Sequence, residues 1–331
     1  MTAPSPRENP SLLGHDQAER TILDALSGGR LHHAWLITGP EGIGKATLAY
    51  RFARRLLAGG GAGLHIDAAN PVFRRVAAGT HADLLTVERE WDEKKKRLKK
   101  TIAAEDARGI PPFLHLTPAE GGWRVVIVDG AEDLNAQSAN ALLKILEEPP
   151  PRAVLMLVCA APGRLLPTLR SRCRHLPLTP LSDADLRRTL DLYLPELGQD
   201  QRGKLVALSE GSPGRAIQLA EQGGLAIAGL VTEVLAALPE VNLTRAYEIS
   251  DSLREEAAFD LFFGLLRASI AAAVSAQLRG LADPLQARLA ALRPPAGWGD
   301  VWSGLTRLHD ETGRFNLDRR QAVVAGLALL R

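Results

Sequence analysis

Nine consecutive residues constrain this chain more than any others. From Gly39 to Thr47 it reads Gly-Pro-Glu-Gly-Ile-Gly-Lys-Ala-Thr, the glycine and lysine spacing of a phosphate-binding loop. The loop follows the apolar run Ala34-Trp35-Leu36-Ile37 and precedes a helical pattern that starts at Leu48. Strand, loop and helix in that order demand a parallel sheet covered by helices. A glycine-rich turn opening an ordinary helix is the plainer alternative, and the flanking pattern disfavours it.

Such a loop works because glycines let backbone N–H groups face phosphate oxygens, while the helix N-terminus adds partial positive charge. Gly39, Gly42 and Gly44 are the candidate cradle, and Lys45 reaches for the outer phosphates. The next position normally carries a hydroxyl that holds magnesium. Here it is Ala46, with Thr47 one residue late and turned away by about 100°. Nucleotide binding is expected at Gly39, Gly42, Gly44, Lys45, Ala46 and Thr47, and efficient hydrolysis is not.

Strand-like runs cover Ala34 to Thr38, Asp83 to Val87, Val125 to Asp129 and Val154 to Cys159. The continuous apolar run before Asp129 fits a strand buried on both faces. Asp129 ends it where ligands of parallel sheets bind, so it is the candidate carboxylate for a nucleotide-bound metal. The carboxylate that would orient an attacking water belongs next to it, but that position is Gly130, with Glu132 and Asp133 beyond. A helix is expected from Ala136 to Glu147, with Ala139, Leu142, Leu143 and Leu146 on one face. Pro149, Pro150 and Pro151 stop it. A further helix is expected over Gly163 to Leu169, and Leu176 to Leu181, with two prolines, reads as an exit from the first domain.

From Ser182 onward strand signals vanish. Three helical patterns follow at about Ser182 to Tyr193, Gln201 to Leu208 and Pro213 to Gln222, with Ser182 and Asp185 placed as an N-cap pair. The remainder is helix-like, with long Ala/Leu-rich segments over Glu255 to Leu281 and Leu317 to Leu330. The expected class is α/β: a parallel-sheet nucleotide-binding core over 1–180, a small helical lid over 181–226 and an all-α domain over 227–331.

The net charge is +2 over 331 residues, which gives no global case for nucleic acid as the main partner. Glu93 to Lys100 is the most basic stretch and could touch a phosphate backbone, although a solvated hairpin is the commoner use of such a run. Cys159 and Cys173 are the two cysteines, too few for a disulfide framework or a four-cysteine zinc site. His32, His33 and His81 lack partners at ligand spacing and read as packing or capping residues. No metal site is expected. No signal peptide or membrane-length run is read from the sequence, so a cytoplasmic protein without membrane contact is expected.

Five stretches together resemble the bacterial clamp-loader subunits of the AAA+ family. They are Leu31 to Leu36, the phosphate loop, Val128-Asp129-Gly130-Ala131-Glu132, Asn140 to Pro149 and Ser171-Arg172-Cys173, joined near the end by Asn316 to Ala322. The resemblance covers Gly14 to about Arg215 well. It implies an AAA+ core with a helical lid and a collar that joins a hetero-oligomeric ring of DNA polymerase III subunits. Arg172 would then be an arginine finger acting on a neighbour's nucleotide, since a guanidinium stabilises charge developing on a transferred phosphoryl group; a pair with a surface carboxylate is the plainer alternative, which the surrounding motif disfavours. Arg215, in Gly211-Ser212-Pro213-Gly214-Arg215, resembles the family's second sensor, which would face nucleotide in its own subunit; packing against the first domain is the equal alternative. The zinc module of other members is not expected, because Leu57 to Leu84 contains no cysteine.

The function so implied is a non-hydrolysing clamp-loader subunit that holds ATP without turning it over. Its partners would be the other clamp-loader subunits, with the sliding clamp and primed DNA reached through the complex. An active ATPase motor and a DNA-binding module using Lys94 to Lys100 are the rival readings.

Overall fold

The computed structural model describes residues 3–331 except 30, 62, 94–96, 121, 281 and 282, and only the backbone of 97, 98 and 104. The chain divides into two compact units, 1–217 and 218–331.

In the first unit the elements run α1 (Asp16–Ser27), β1 (Ala34–Thr38), α2 (Lys45–Leu57), α3 (Pro71–Ala77), β2 (Leu84–Val87), β3 (Trp91–Asp92), β4 (Arg97–Leu98), α4 (Ala104–Arg108), α5 (Ile110–His115) and β5 (Arg124–Asp129). They continue with α6 (Ala136–Glu147), β6 (Ala153–Cys159), α7 (Pro167–Arg170), β7 (Arg174–Pro177), α8 (Asp183–Tyr193) and α9 (Gln199–Ser209). α10 (Pro213–Glu221) runs across the division between units. Five strands form one parallel sheet in the order β2-β5-β6-β1-β7. The expected fold class is therefore seen, a doubly covered parallel sheet with the phosphate loop between β1 and α2.

Alternation along the central strands fills two cores. Trp35 and Ile37 of β1, Val125 and Ile127 of β5, and Val154, Met156 and Val158 of β6 pack with Leu48 and Phe52 of α2 and Ile22 of α1. Leu36, Val126, Val128, Leu155 and Leu157 face the other way, onto Leu142, Ile145 and Leu146 of α6. Both faces are apolar, which is why these strands read as continuous runs.

The fifth strand departs from the sequence reading. β7 pairs with β1 in parallel register, Trp35 with Arg174 and Thr38 with Pro177, where an exit from the domain was expected. Only Leu176 of its four residues is buried, so no apolar run marks it, and Pro177 is tolerated because β7 is an edge strand. The expected helix over Gly163 to Leu169 is a 3₁₀ turn at Pro162–Arg164 followed by the single turn α7. Ser182 caps α8 by accepting from the Asp185 N–H. The three histidines serve the backbone: His33 Nε2 lies 3.0 Å from the Leu146 carbonyl, His32 Nδ1 lies 2.8 Å from that of Ala34, and His81 Nδ1 accepts from Asp83 N. Of the basic run, Lys94, Lys95 and Lys96 lie outside the described residues; β3 and β4 form an antiparallel pair, Trp91 with Leu98 and Asp92 with Arg97.

The second unit is helical: α11 (Gly224–Ala237), α12 (Leu243–Ser252), α13 (Glu256–Arg279), α14 (Pro284–Leu292), α15 (Pro295–Phe315) and α16 (Arg319–Leu329). Asn242, Asp283 and Asp318 cap α12, α14 and α16 by accepting from backbone N–H groups of the first turn. One correction concerns α13. It is 24 residues long, and an 18-residue stretch within it has mean hydropathy 1.7, long and apolar enough to cross a membrane, against the expectation that no such run exists. Here Phe259, Phe262, Phe263, Leu265, Leu266 and Ile270 of this helix are buried in the protein's own core, and core helices of this length share the composition of spans.

The expected outcome of Leu36→Ala, at a fully buried site in the interior strand β1, is a loss of about 3 kcal/mol, measured by urea unfolding.

Candidate nucleotide-binding cleft

A cleft of about 470 Å³ opens at the carboxyl edge of the sheet. Its floor is the loop Glu41 to Thr47, its far side is Asp129, Gly130, Glu132 and Asp133, and α8 and the start of α10 overhang it with Thr189, Tyr193, Pro213 and Gly214. The sequence thus predicted the floor and one wall. Gly39, half-buried at the root of the loop, and Arg215 lie outside the lining.

The loop's glycines are there for backbone and for space. Gly39, Gly42 and Gly44 have φ of +145°, +72° and +103°, a region that costs other residues about 1–2 kcal/mol. A Cβ at Gly39 would lie 2.5 Å from the Leu178 carbonyl oxygen, and one at Gly42 2.5 Å from the Ser212 hydroxyl. Ser212 Oγ donates to the Glu41 carbonyl (2.9 Å) and Gly214 N donates to the Gly42 carbonyl (2.8 Å). A Cβ at Gly214 would sit 2.8 Å from Gly42 Cα, so the start of α10 rests on the loop backbone to backbone. These bonds take the loop's outward carbonyls, the arrangement that leaves amides free for an anion.

Lys45 is buried, and its Nζ donates to the Pro40 carbonyl at 2.6 Å. Burial lowers its pKa, opposed by Glu132, Asp129 and Glu41. The lysine is thus held on the loop, among carboxylates, in reach of a ligand that would displace the carbonyl. Ala46 lines the cleft with a methyl group, and Thr47 lines it too while being buried.

Asp129 is pushed up to about 6, first by burial and then by Glu88 and Glu132, with Lys45 opposing. The two carboxylates beyond it are already engaged. Glu132 Oε1 accepts from Ala160 N at 2.8 Å, and Asp133 is paired with Arg89 (3.2 Å) and Arg164 (3.5 Å). Cys159 bonds Glu132, and burial together with this neighbour pushes its thiol to about 12, so it is no nucleophile. Gly130 has φ +80°, which leaves the expected base position without a side chain. The cleft thus presents the loop's glycines and Lys45 opposite Asp129; Asp133 is ion-paired, and Glu132 has Oε1 bonded to Ala160 N while its buried Oε2 has no hydrogen-bond partner among the described residues.

The two candidate arginines lie elsewhere. Arg215 pairs with Glu210 at 3.3 Å. Arg172 sits between α7 and the start of β7, hence at the amino edge of the sheet, opposite the loop. It donates to Glu147 Oε1 at 2.6 Å and to the Thr168 carbonyl at 3.0 Å, with 36% of its side chain exposed. Neither the sequence motif nor the spacing pointed to the near wall, which the segment 3–13 provides through Pro4, Pro6, Asn9, Ser11, Leu12 and Leu13. Its closely spaced prolines were the available signal of extended chain. Arg89 was missed because a lone arginine after a strand carries no pattern.

Comparison with known proteins adds a family. The profile described as DNA polymerase III, delta subunit, matches residues 14–182. The chain is 40% identical over 208 residues to DNA polymerase III subunit delta' of Pseudomonas aeruginosa, covering 62% of this chain and 61% of that protein. It is 35% identical over 198 residues to the delta' subunit of Escherichia coli K12, covering 60% and 57%. With subunit tau of Escherichia coli K12 it shares 29% over 221 residues, 66% of this chain and 33% of the other. The matches thus span less than two thirds of each relative's length. Among solved structures, a DNA polymerase III gamma subunit-related protein of Thermotoga maritima aligns over 96% of this chain and 98% of its own at 19% identity, with a TM-score of 0.46.

The raised Asp129 yields a pH prediction. The folded state holds this proton to about pH 6 and the unfolded chain releases it near 3.8. Ionising Asp129 therefore costs stability progressively from about pH 4 to above pH 6. Asp129→Asn removes that cost: its unfolding midpoint is expected to exceed that of the wild type at pH 7 to 8, with the gap closing toward pH 4, as read by thermal denaturation across that range.

Proposed function

Because the chain belongs to the DNA polymerase III delta subunit family, we propose that it acts as a delta-prime-type subunit of the bacterial clamp loader, working in the cytoplasm in a ring of other loader subunits. In this reading residues 181–226 are the lid and 227–331 the collar through which the ring assembles. The subunit holds ATP without efficient hydrolysis and lends Arg172 to the nucleotide site of its neighbour. The sliding clamp and primed DNA are reached through the assembled complex.

The observation that carries this reading is the separation of two halves of an ATPase. The cradle, with Ala46 and Gly130 where a magnesium hydroxyl and a second carboxylate belong, is at the carboxyl edge of the sheet. Arg172 is at the amino edge, out of reach of that cradle. Any action of an arginine in this position on nucleotide would have to be on a site supplied by another chain. Its present partner favours such a role: Glu147 is 53% exposed, and an ion pair this open holds an arginine by no more than about 1 kcal/mol. A neighbour's phosphates can take it over.

ATP is the group the cleft suits by its residues. Gly42, Gly44 and Lys45 would hold the phosphates, and Asp129 would face any accompanying cation. When bound, the triphosphate supplies an anionic ligand that can draw Lys45 from the Pro40 carbonyl. Thr47, which also lines the cleft, is one helical position from where a metal ligand would stand. Arg215, held by Glu210, is proposed as a lid contact to the outer phosphates.

Two measurements test the reading. In the reconstituted loader, Arg172→Ala is expected to leave assembly intact and to lower ATPase activity by a factor of about 10³ or more. A complex of normal activity would remove the finger. The purified chain alone is expected to bind ATP with negligible turnover, and brisk turnover abolished by Lys45→Ala would instead identify a motor subunit.

A further inference from the structure

We propose that Arg54 is a positioning residue of the cleft: it holds the segment 3–13 in place as the near wall, and through Asn9 ties that wall to α8. This deepens the nucleotide-binding reading and rests on it.

The segment has little to hold itself. It forms no helix or strand, and its internal bonds are the Glu8 N–H to the Ser5 carbonyl, the Ser5 hydroxyl and amide to Glu8, and the Ser11 N–H to Asn9 Oδ1. Two arginines of α2 grip its backbone from below. Arg54 donates through Nη1 to the Arg7 carbonyl (2.8 Å) and through Nη2 to the Asn9 carbonyl (2.5 Å). Arg51 donates to the Pro10 carbonyl and is neutralised by Glu19 at 2.9 Å.

The two arginines are not equivalent. Arg54 is 1% exposed, and among the described ion pairs it has no carboxylate. Its guanidinium lies 4.5 Å over the Phe73 ring. Burial lowers its pKa to about 10, so it stays charged at neutral pH. An isolated buried cation is costly, and an apolar side chain of similar length would serve a core as well or better. What only an arginine provides here is a planar fork that reaches two carbonyls of a passing extended segment at once.

Those two carbonyls belong to the wall. Asn9 lines the cleft, and its side chain accepts from Tyr193 Oη at 2.9 Å, so one residue is held by α2 through its backbone and by α8 through its side chain. α2 also begins with Lys45. Nine residues at 1.5 Å each put Arg54 about 13 Å along the same rigid rod. One helix thus sets the phosphate end of the cleft and, through Arg54, the opposite wall.

The test uses the full-length chain, a fluorescent ATP analogue as probe and hydrogen exchange at residues 7–13 as a second readout. Arg54→Met is expected to raise the analogue's dissociation constant at least tenfold and to speed exchange in that segment, with the unfolding midpoint shifted by only a few degrees. Arg54→Lys, which keeps one donor, should fall between. Affinity within twofold of the wild type, or unchanged exchange, overturns the proposal. If Arg54→Met does not fold, Asn9→Ala decides with both arginines intact: at least threefold weaker binding supports the tie to α8, and unchanged binding overturns it. A wild-type chain that binds no analogue, with exchange still faster in Arg54→Met, overturns the nucleotide reading and supports the anchoring.

Discussion

Strand β1 is the constraint on which the rest of the first unit depends. It is hydrogen-bonded on both sides, to β6 and β7, and packed on both faces. Its last residue, Thr38, is still in the ladder, with its carbonyl taken by Leu178 N at 2.7 Å, and Gly39 turns immediately beyond. The phosphate loop therefore starts from a point with almost no freedom. The close approach of the Leu178 carbonyl to Gly39 shows how narrow that exit is, and why the loop's first residue must be glycine. An edge strand with one buried residue sets the geometry of the loop beside it.

The same loop is fixed from above. Ser212 and Gly214 occupy the carbonyls of Glu41 and Gly42, and the two glycine backbones at 42 and 214 meet with no side chain between them. A cradle gripped at its root by β7 and at its crown by α10 is shaped before any ligand arrives. Preorganisation of this kind favours binding, because less order has to be imposed when the ligand enters. Hydrolysis draws on other groups, a hydroxyl that holds magnesium and a carboxylate that orients water, and positions 46 and 130 hold alanine and glycine.

Much of this was legible in the residues. The loop, the buried strands β1, β5 and β6, the edge strand β2, α6 and the cap at Ser182 carry local patterns, because glycine torsions, apolar runs and capping oxygens act over a few neighbours. Asp129 was legible too, since the end of a buried strand is a fixed place in a parallel sheet. β7 was not, because an edge strand shows solvent a polar face and Pro177 argued against it. The segment 3–13 escaped notice because its structure is imposed by Arg51 and Arg54, some forty residues later in the chain. The partners of Glu132 and Asp133 escaped it as well: a carboxylate's availability depends on which amide or guanidinium the fold brings to it, here Ala160, Arg89 and Arg164. The extent of α13 was read closely, as a helical segment starting at Glu255; that one stretch of it is apolar enough to pass for a membrane span was not.

Gly130 has a bearing on how such a site could change over evolutionary time. At Ala46 a single base change could place a hydroxyl on an ordinary helical backbone. At position 130 the backbone is left-handed, and a new Cβ would approach Asp133 Oδ2 to 3.3 Å. A carboxylate there would be strained by about 1–2 kcal/mol and would meet a like charge. The turn after β5 would have to be rebuilt first, with Glu132 and Asp133 released from their present bonds. The two vacancies are therefore unequal: one is open to reversal by substitution, and the other is locked by the shape of the chain, like a ratchet that has passed its tooth.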